Sequence, residues 1–493
     1  MLKMMRQPDN VHTLKQHFPA VSFGTSGVRA LVADLSDEVI AAYTQAFILR
    51  LQALRQLPAG ESVKLGIDLR PSSPAIALTI VRALRQLGVG VEYLGALPTP
   101  ALALRCLQTV TPGIMVTGSH IPYDRNGIKF YLPGGEILKA DEAAIADTLI
   151  DPASLALPET ECVLPLVDVR AQDAYVQRYL TCFGAAALKG LRLGVYEHSA
   201  VGRDLIGSIL CSLGATVFPQ GRSDAFVPID TEAVSEAEQA QARRWCLEHR
   251  LDALVSTDGD GDRPLVFDAE GNFVRGDLLG LICARALQLQ RLALPVSCNT
   301  AVERCGAFTQ VVRTRIGSPY VIAAMNDLAA AEPSPIGGFE ANGGFMLGSA
   351  LPGLVALPTR DAMLPMIALL ATAVQQQKTV AELLAELPER FTHSDRIREI
   401  PNTVSRALLT RLIDDDALKH DFFGCEVVRT DTTDGLRVHF TNDDIVHLRT
   451  SGNAPELRCY TESTSYRQAQ FLCQVYLKQF SGLLKEFKSS AIR

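Results

Sequence analysis

The stretch Leu251-Asp252-Ala253-Leu254-Val255-Ser256-Thr257-Asp258-Gly259-Asp260-Gly261-Asp262-Arg263 joins an apolar, strand-like run to a cluster of alternating carboxylates. The run predicts a buried strand, and the acidic turn after it lies where open α/β sheets bind ligands, at the carboxyl end of a strand. Two glycines let the backbone curl, so the three aspartates converge. Crowded carboxylates are costly unless a divalent cation neutralises them, and all-oxygen ligation favours Mg²⁺ over zinc.

A calcium-binding loop and a solvated turn are the alternatives to a magnesium site at this acidic segment. An EF-hand loop starting at Asp258 would need glycine at its sixth position and glutamate at its twelfth, but these positions hold Arg263 and Ala269. Calcium storage is therefore not expected. A solvated acidic turn without a ligand stays open if the cluster is taken alone.

A second polar motif, Thr117-Gly118-Ser119-His120, follows the apolar run Gly113-Ile114-Met115-Val116. It would also end a buried strand, which makes Ser119 a candidate nucleophile. Thr117 and Ile121 stand two residues before and after the serine, so the Gly-x-Ser-x-Gly elbow of the α/β-hydrolases is absent. Taken alone, Ser119 would be a structural loop residue.

Two further loops are rich in groups that bind phosphate or sugar. The segment 449–458 contains two arginines, a serine, an asparagine and a glycine, which is the composition of a phosphate cradle. Surface charge is the alternative for the arginines. The glycine-dense segment 337–344 carries Glu340 and Asn342, whose carboxylate and carboxamide suit the paired hydroxyls of a sugar.

These four loops, in this order, resemble those of the α-D-phosphohexomutase superfamily, with its phosphomannomutase, phosphoglucomutase and phosphoglucosamine mutase branches. The resemblance extends along almost the whole chain and includes the segments 23–29, 66–74, 98–100 and 126–129. It implies an α/β fold with three similar α/β domains, each with a mixed sheet, and a C-terminal α+β domain. The four domains would form a heart-shaped architecture.

The resemblance and the periodicity together predict four domains. They are a phosphoserine-bearing α/β domain at 1–155, a metal-binding α/β domain at 156–275, a sugar-recognition α/β domain at 276–390 and a phosphate-binding α+β lid at 391–493. Helices are predicted at 39–57, 73–87, 201–213, 277–292 and 466–487. Strands are predicted at 64–67, 90–93, 191–196, 215–217, 296–297, 311–312, 426–429 and 436–440.

The resemblance also implies the chemistry. Ser119 would carry a phosphoryl group in the resting enzyme, and Asp258, Asp260 and Asp262 would hold Mg²⁺ with an oxygen of that phosphoserine. A phosphoserine beside three carboxylates would be repelled without a bridging cation. The reaction would be reversible transfer between C1 and C6 of a hexose phosphate through a hexose 1,6-bisphosphate, which would also act as activator.

Further roles follow from the same resemblance. The residues that would bind the substrate are Arg263, Glu340, Asn342, Arg449, Ser451, Gly452, Asn453 and Arg458. Lys129, His120 and Arg29 are the candidates for proton transfer. Lys129 is expected to be the general base if Mg²⁺ and Arg29 lower its pKa. A role for Lys129 as a plain phosphate-binding cation is equally open.

Three positions depart from the pattern of relatives. The serine is followed by His120-Ile121-Pro122 instead of His-Asn-Pro. The segment 340–344 reads Glu-Ala-Asn-Gly-Gly, whereas bacterial phosphomannomutase/phosphoglucomutase usually has Glu-x-Ser-Gly-His. Ser318-Pro319 stands where a basic residue is common, and Arg315 is expected to supply that charge.

Composition narrows the class of protein. The chain has 493 residues, 47% of them hydrophobic and 20% charged, which suits three or four well-packed domains. A net charge of -7 argues against nucleic acid as a partner. No signal sequence or membrane span is expected, and eleven scattered cysteines indicate a reduced, cytoplasmic protein. The sequence leaves open whether it is a monomer or a small homo-oligomer.

The substrate and two rival functions remain open at this stage. Mannose phosphate is ranked first, glucose phosphate second and an amino-sugar phosphate third. A phosphatase that passes the phosphoryl group from Ser119 to water is one rival. A non-catalytic protein that binds sugar phosphate is the other.

Overall fold

Four successive sheets organise the chain in the computed structural model, which describes residues 12–24, 27–58, 60–157, 162–452 and 455–490. A short additional pair joins His12–Thr13 to Leu149–Ile150. The first three sheets mix parallel and antiparallel strands, and the fourth is antiparallel. The predicted α/β class with a C-terminal α+β unit is confirmed.

The first sheet carries the serine. Its strands, in spatial order, are Ser22–Phe23, Val28–Leu31, Arg125–Leu132, Gly113–Val116, Ser62–Ile67 and Gly90–Ala96, with Gly135–Glu136 paired to Arg125–Leu132. Its helices are Leu14–His17, Asp37–Ala53, Ser73–Gln86, Thr99–Thr109 and Lys139–Ala146, with 3₁₀ turns at Val32–Asp34 and Pro152–Leu155.

The second and third sheets repeat one topology. The second has the order Thr216–Gln220, Arg192–Tyr196, Ala253–Thr257, Pro264–Phe267 and Phe273–Val274, with helices Arg170–Phe183, Arg203–Ser212 and Glu236–His249. The third has the order Gln310–Thr314, Arg291–Pro295, Ile336–Phe339, Phe345–Leu347 and Leu357–Asp361, with helices Gly276–Ala286, Ala301–Arg304, Ser318–Ala331, Met363–Gln376 and Val380–Ala385. In both, three parallel strands are followed by two antiparallel ones.

The three functional loops of these sheets occupy equivalent positions. Each connects the last parallel strand to the antiparallel strand beside it. We name them the serine loop (117–122), the metal loop (258–263) and the sugar loop (340–344). Because the repeats share this connection, the polar motifs stand at the carboxyl ends of buried strands, as predicted.

The fourth unit is an antiparallel sheet with helices. Its strands, in spatial order, are Phe391–Arg398, Glu456–Ser463, Ile445–Thr450, Leu436–Phe440 and Val427–Asp431, and its helices are Asn402–Asp414, Asp416–Phe423 and Tyr466–Ser490. Its apolar core is a separate cluster. By contrast, one continuous cluster joins helix Thr99–Thr109 of the first unit to the interiors of the second and third. The first three units are therefore packed as one body, with the fourth attached through polar contacts.

Most predicted elements are confirmed, with ends displaced by a few residues, and one region is wrong. The helix predicted at 277–292 ends at Ala286, and Gln288 takes a left-handed conformation with φ 52°. The strand predicted at 296–297 instead lies at Arg291–Pro295. The run Arg291-Leu292-Ala293-Leu294-Pro295 is wholly buried, so its hydrophobicity alone could not distinguish a strand from the end of a helix.

Two further observations concern the chain as a whole. Among the described residues, no helix combines the length and the apolar character needed to cross a bilayer. All eleven cysteines carry free thiols.

We predict that Gly276→Ala destabilises the junction of the second and third units. A Cβ at position 276 would lie 2.5 Å from the carbonyl carbon of Asn342 and 2.6 Å from the backbone oxygen of Ala341. Backbone cannot yield as a flexible side chain can, so the free energy of unfolding should fall by about 2 kcal/mol. Thermal melting checks this. Gly207→Ala is the control, because its helix has room for a methyl group and the change should stabilise by about 0.5 kcal/mol.

Candidate active site

The serine loop and the metal loop meet backbone to backbone. A Cβ at Gly259 would lie 2.7 Å from the backbone oxygen of Ser119, so only glycine permits this approach. The backbone N–H of Thr99 donates to the carbonyl of Asp260 at 2.9 Å. The nucleophile predicted in one domain and the carboxylates predicted in another therefore share one site.

Ser119 has a strained, buried position that aims its side chain at the metal loop. Its φ is 55°, a left-handed value uncommon for residues other than glycine. Its backbone N–H donates to Thr117 Oγ1 at 2.8 Å, and its hydroxyl donates to Asp258 Oδ2 at 2.6 Å. Strain of this kind persists only where the surroundings enforce it, and it is common at functional sites.

Arg70 is the residue that holds the serine loop in this shape. Its guanidinium is fully buried and donates to the carbonyl oxygens of Ser119 (2.9 Å), Ile121 (2.5 Å), Pro122 (2.7 Å) and Arg125 (2.9 Å). Asp68 accepts from its Nε at 3.2 Å. The sequence analysis noted the segment around Arg70 but assigned it no role. Ile121, the departure from His-Asn-Pro, contributes its backbone oxygen here.

Two cations balance the charge of the metal-loop carboxylates, and a hydroxyl donates a hydrogen bond to one of them. Lys129 Nζ donates to Asp260 Oδ2 at 2.6 Å and to Asp262 Oδ2 at 2.7 Å. Thr99 Oγ1 donates to Asp260 Oδ2 at 2.7 Å. Arg360 donates to Asp262 Oδ2 through Nε and Nη2, at 3.1 and 2.8 Å.

The remaining carboxylate oxygens fit a divalent cation. The three aspartates offer one oxygen each within 4.8 Å of one another. Asp260 Oδ1 and Asp262 Oδ1 are buried without a hydrogen bond among the described residues. A buried, unpaired carboxylate oxygen is costly, and a hard cation with oxygen ligands removes that cost. The predicted metal ligands are thus brought together in a suitable arrangement.

The charges around the metal loop shift its pKa values in opposite directions. Burial and the neighbouring carboxylates Asp260 and Asp262 raise the pKa of Asp258 well above its usual range. Burial opposes ionisation of Asp262 too, but the charges of Arg360 and Lys129 outweigh it and lower the pKa of Asp262. The cluster therefore pairs one easily protonated carboxyl with one firmly ionised carboxylate.

The pKa of Lys129, which Mg²⁺ and Arg29 were expected to lower, also depends on the carboxylates of the metal loop. Burial alone would lower the pKa of Lys129, but Asp260 and Asp262 outweigh burial and raise it. A lysine that holds its proton in this way is suited to binding anionic groups and poorly suited to removing a proton. Of the two roles left open for Lys129, the geometry favours the plain cation.

His120 and Arg29 lie beside the nucleophile. His120 Nδ1 is 3.3 Å from Ser119 Oγ. Burial and the charges of Arg263 and Arg29 lower the pKa of His120 well below its usual value, so its imidazole is neutral near pH 7. Burial and the guanidinium groups of Arg263 and Arg360 lower the pKa of Arg29 to about 10, so it remains charged.

Arg263 closes the metal loop and faces its last aspartate. Its backbone N–H donates to Asp258 Oδ1 at 3.2 Å, and its Nε lies 3.7 Å from Asp262 Oδ1. The side chain is 9% exposed, and Nε has no hydrogen bond within the described part of the chain. Arg263 therefore presents a buried donor beside the nucleophile.

The sugar loop contains one side chain aimed at the metal loop and one that shapes the loop itself. Glu340 Oε2 accepts from Arg360 Nη1 at 2.9 Å. Asn342 Oδ1 accepts from the backbone N–H of Gly344 at 2.9 Å, and Thr231 Oγ1 donates to its backbone oxygen at 3.2 Å. The side-chain oxygen of Asn342 thus stabilises the turn, and the role of Asn342 in binding sugar stays a prediction.

The phosphate loop (449–458) lies between two strands of the fourth unit. Arg449 and Arg458 are directly opposite each other, and Arg396 on the next strand is opposite Arg458. Like charges in such positions repel unless an anion lies among them. Glu456 Oε2 is 3.6 Å from both Arg396 and Arg458, and Asp434 Oδ2 is 3.0 Å from Arg449.

The remaining predicted residues of this loop differ in exposure. Ser451 is buried, and its backbone oxygen accepts from Asn402 Nδ2 at 3.1 Å. Gly452 is exposed. Asn453 lies outside the described residues. Arg396 was missed by the sequence analysis because only strand pairing brings it beside the loop.

Arg315, which was expected to supply the charge of the missing basic residue, contacts the fourth unit. Its Nε donates to the carbonyl of Thr433 at 3.1 Å, and the backbone N–H of Ile316 donates to Asp434 Oδ2 at 3.0 Å. Ser318, the departure from a basic residue, donates to Glu136 Oε2 at 2.9 Å. This loop therefore docks the fourth unit onto the third.

A cleft opens between the sugar loop and the fourth unit. Glu232, Arg275 and Arg437 are charged residues of its lining, with Ala341 at the sugar-loop end. Burial raises the pKa of Glu232, while the nearby charges of Arg263 and Arg458 oppose that rise. Glu232 is thus within electrostatic reach of both the metal loop, through Arg263, and the phosphate loop, through Arg458.

Comparisons with known proteins identify relatives over nearly the full length. Models of the phosphoglucomutase/phosphomannomutase family match at residues 20–154 (alpha/beta/alpha domain I), 275–391 (alpha/beta/alpha domain III) and 373–476 (C-terminal domain). A phosphomannomutase from Salmonella muenchen is 46% identical over 471 residues, 94% of this chain and 96% of the relative. One from Sinorhizobium fredii is 45% identical over 459 residues, 91% and 96% of the two chains.

A more distant relative and a solved structure also match much of the chain. A phosphoglucosamine mutase from Maricaulis maris is 31% identical over 343 residues, 66% of this chain and 72% of the relative. The crystal structure of a phosphoglucomutase/phosphomannomutase family protein from Burkholderia thailandensis matches with a TM-score of 0.74 at 20% identity, over 93% of this chain and 97% of that one. This likeness supports the fold.

We predict that His198, beneath the metal loop, makes the protein sensitive to acid. Its Nε2 lies 2.9 Å from the carbonyl of Thr257, and burial lowers its pKa to about 4. The unfolded chain binds a proton near pH 6.5, so stability present above pH 6.5 is lost as the pH falls towards 4. The decrease in the free energy of unfolding should reach about 3 kcal/mol.

Denaturant unfolding of the wild type and His198→Gln between pH 8 and 4 measures this effect. The difference in unfolding free energy between the two should change over that window, whereas exposed His420→Gln should parallel the wild type. Parallel curves for His198→Gln and the wild type would contradict the assignment.

Proposed function

The chain belongs to the phosphoglucomutase/phosphomannomutase family, and we propose that it is a phosphomannomutase that interconverts mannose 1-phosphate and mannose 6-phosphate. Family membership makes it an isomerase that moves a phosphoryl group. The choice of mannose rests on the two phosphomannomutases that are 45–46% identical over more than nine-tenths of the chain.

One contact carries the mechanistic proposal: the 2.6 Å hydrogen bond from Ser119 Oγ to Asp258 Oδ2. It connects a strained, buried serine to a carboxylate cluster that also faces Lys129 and Arg360. A site that only binds sugar phosphate needs no such combination of a nucleophile, cation ligands and fixed positive charge. Phosphoryl transfer needs all three, since its catalysis is mainly positioning and charge stabilisation.

In the first half-reaction, phosphoserine 119 would donate its group to the free hydroxyl of the sugar. The bond between Ser119 Oγ and phosphorus breaks as a bond from the sugar oxygen to phosphorus forms. Lys129, Arg29 and Arg263 would stabilise the phosphoryl oxygens as charge moves between the two oxygens. In the second half-reaction, the hexose 1,6-bisphosphate would return its other phosphate to Ser119.

Asp258, Asp260 and Asp262 would hold the divalent cation, with Mg²⁺ the ion that suits all-oxygen ligation. Bound there, it supplies neutralisation of the phosphoryl charge during transfer. Asp258 Oδ2 and the two unpaired oxygens, Asp260 Oδ1 and Asp262 Oδ1, are the atoms that suit this role.

The sugar phosphate must bind in two opposite orientations, one for each half-reaction, and the two ends of the cleft suit this requirement. Arg449 and Arg458 would bind whichever phosphate lies away from the serine, with Ser451, Gly452 and Asn453 completing the loop. Glu340 would accept hydrogen bonds from ring hydroxyls available in either orientation. Separate packing of the fourth unit suits it to act as a lid that opens for substrate and retains the bisphosphate.

The proton balance of the reaction favours His120 as the group beside the serine. The sugar hydroxyl loses a proton and Ser119 Oγ gains one when phosphate leaves it. A neutral imidazole with Nδ1 3.3 Å from Ser119 Oγ can accept the serine proton when Ser119 is phosphorylated, and the imidazolium so formed can return that proton when the phosphoryl group leaves. The raised pKa of Lys129 makes that residue a poorer choice.

Free thiols on all eleven cysteines suit a reducing, cytoplasmic setting.

We expect the purified protein, with Mg²⁺ and a trace of hexose 1,6-bisphosphate, to isomerise mannose 1-phosphate fastest. Glucose 1-phosphate and glucosamine 1-phosphate, assayed in parallel, test the second and third choices of sugar. Ser119→Ala should abolish net isomerisation with every sugar, because no phosphoenzyme can form. Intact-mass analysis should show one phosphoryl group on the wild type and none on the variant.

Ser208→Ala, on the exposed side of a helix, is the control and should keep full activity. Release of inorganic phosphate without isomer would favour the phosphatase. A phosphorylated wild type without turnover of any of the three sugars would exclude mannose as the substrate. Full activity of Ser119→Ala would contradict the mechanism.

We predict that His120→Gln lowers kcat by about 100-fold and leaves KM little changed, because general acid–base catalysis contributes at least that factor. Steady-state kinetics in both directions measures this effect. A loss confined to KM would assign His120 to substrate binding instead.

A further inference from the structure

Arg360 joins the two loops that the mechanism must hold in register. It lies on strand Leu357–Asp361, and its side chain is 1% exposed. Nε and Nη2 donate to Asp262 Oδ2 at 3.1 and 2.8 Å, and Nη1 donates to Glu340 Oε2 at 2.9 Å. One rigid, planar group therefore links a carboxylate of the metal loop to the carboxylate of the sugar loop.

Gly344 leaves the space that Arg360 fills. A Cβ at position 344 would lie 2.6 Å from Cδ of Arg360, 2.8 Å from Cγ and 3.0 Å from Cβ. Any larger side chain at 344 and the present arrangement of Arg360 are thus mutually exclusive. The absence of a side chain at Gly344 is therefore part of the packing that holds Arg360 in this position.

Neighbouring residues fix the backbone on either side of Arg360. Before it, the hydroxyl of Thr359 donates to Glu136 of the first unit. After it, Asp361 accepts from the hydroxyls of Tyr175 and Tyr179 of the second unit, at 2.8 Å and at 2.6–2.7 Å. Contacts from two other domains therefore hold this strand end, which makes Arg360 a preorganised support.

In the carboxylates of Asp262 and Glu340, one oxygen pairs with Arg360 and the other does not. Arg360 and Lys129 occupy Asp262 Oδ2, while Oδ1 has no hydrogen bond within the described residues. Arg360 likewise occupies Glu340 Oε2, and Oε1 accepts no hydrogen bond from a described residue. One oxygen of each carboxylate is held by the arginine, and the other has no hydrogen bond from a described residue.

We propose that Arg360 is a positioning residue that holds Glu340 in register with Asp262. This inference rests on the proposed mutase function. Its effect is to keep the sugar hydroxyls at a constant distance from the phosphoryl group in both orientations of the substrate. Misplacement of a reacting group by about 1 Å lowers rates about 100-fold, so a rigid link between these two loops has a large kinetic effect.

Two kinds of variant test the proposal. Arg360→Met keeps the length of the side chain and removes its donors, and Arg360→Lys keeps the charge and removes the planar fork. Arg291→Met is the matched control, because Arg291 is also a buried arginine, and its partners, Ser334 and Glu332, lie outside the cleft. For each protein we measure kcat, KM, melting temperature and, by calorimetry on the dephosphorylated form, Mg²⁺ binding.

Arg360→Met should lower kcat by about 100-fold and raise KM for the sugar phosphate several-fold. Its Mg²⁺ affinity should be unchanged or higher, because a positive charge has left Asp262. Arg360→Lys should recover less than about tenfold, because a lysine cannot bridge two carboxylates as a fork does. Arg291→Met should keep the wild-type kcat and KM, whatever its melting temperature.

An exchange of side chains tests the shared space directly. Gly344→His alone should lower kcat/KM and the melting temperature because the imidazole meets Arg360. Adding Arg360→Ala to Gly344→His should restore melting temperature and raise kcat/KM above that of either single variant. This measurement does not require Arg360→Met to fold.

Three results would overturn the proposal. The first is a kcat/KM of Arg360→Met within about threefold of the wild type. The second is Mg²⁺ binding that weakens in parallel with activity. The third is a double variant whose kcat/KM is no better than the product of the effects of the single variants. The second result would make Arg360 a structural support of the metal loop alone. A wild type inactive on all three sugars would instead refute the proposed function, and the melting temperatures of the exchange variants would still decide whether Arg360 and Gly344 share the space.

Discussion

Three carboxylates that share one buried pocket are the constraint on which the rest of the site depends. Asp258, Asp260 and Asp262 are each at most 1% exposed, where uncompensated negative charge would be prohibitive. Lys129 from the first unit and Arg360 from the third supply the opposing charge. The metal loop can therefore reach this charge balance only when three domains are docked. The continuous apolar core beneath them explains how docking is maintained.

Repetition of one topology explains how distant motifs converge. In each of the first three units, the functional loop joins the last parallel strand to its antiparallel neighbour. Each repeat thus presents a loop at the carboxyl end of its sheet, and packing of the repeats directs the three loops at one cleft. The loops carry different chemistry: a nucleophile, cation ligands and a hydrogen-bonding carboxylate. Divergence of function could proceed loop by loop without disturbing the sheets.

The fourth unit carries the row of arginines that suits a phosphate group. Arg396, Arg458 and Arg449 form a row across three antiparallel strands, a row of like charges that an anion would stabilise. Its own apolar core makes the unit independent, and its contacts with the third unit are polar, through Asp434 and the loop around Arg315. Polar, partly exposed contacts of this kind can be exchanged for contacts with phosphate at small net cost.

The sequence by itself determined the class of chemistry, the α/β repeats and most helices and strands. Contiguous motifs predicted this because a nucleophile, its cation ligands and a phosphate loop each follow an apolar strand within a few residues. Prediction failed at 287–297, where a fully buried run has no polar face to reveal its period. Only the tertiary structure decided that Arg70 shapes the serine loop and that Arg360 fills the space at Gly344. Arg70 is 49 residues from Ser119 and Arg360 is 98 residues from Asp262, and contacts over such separations leave no local pattern.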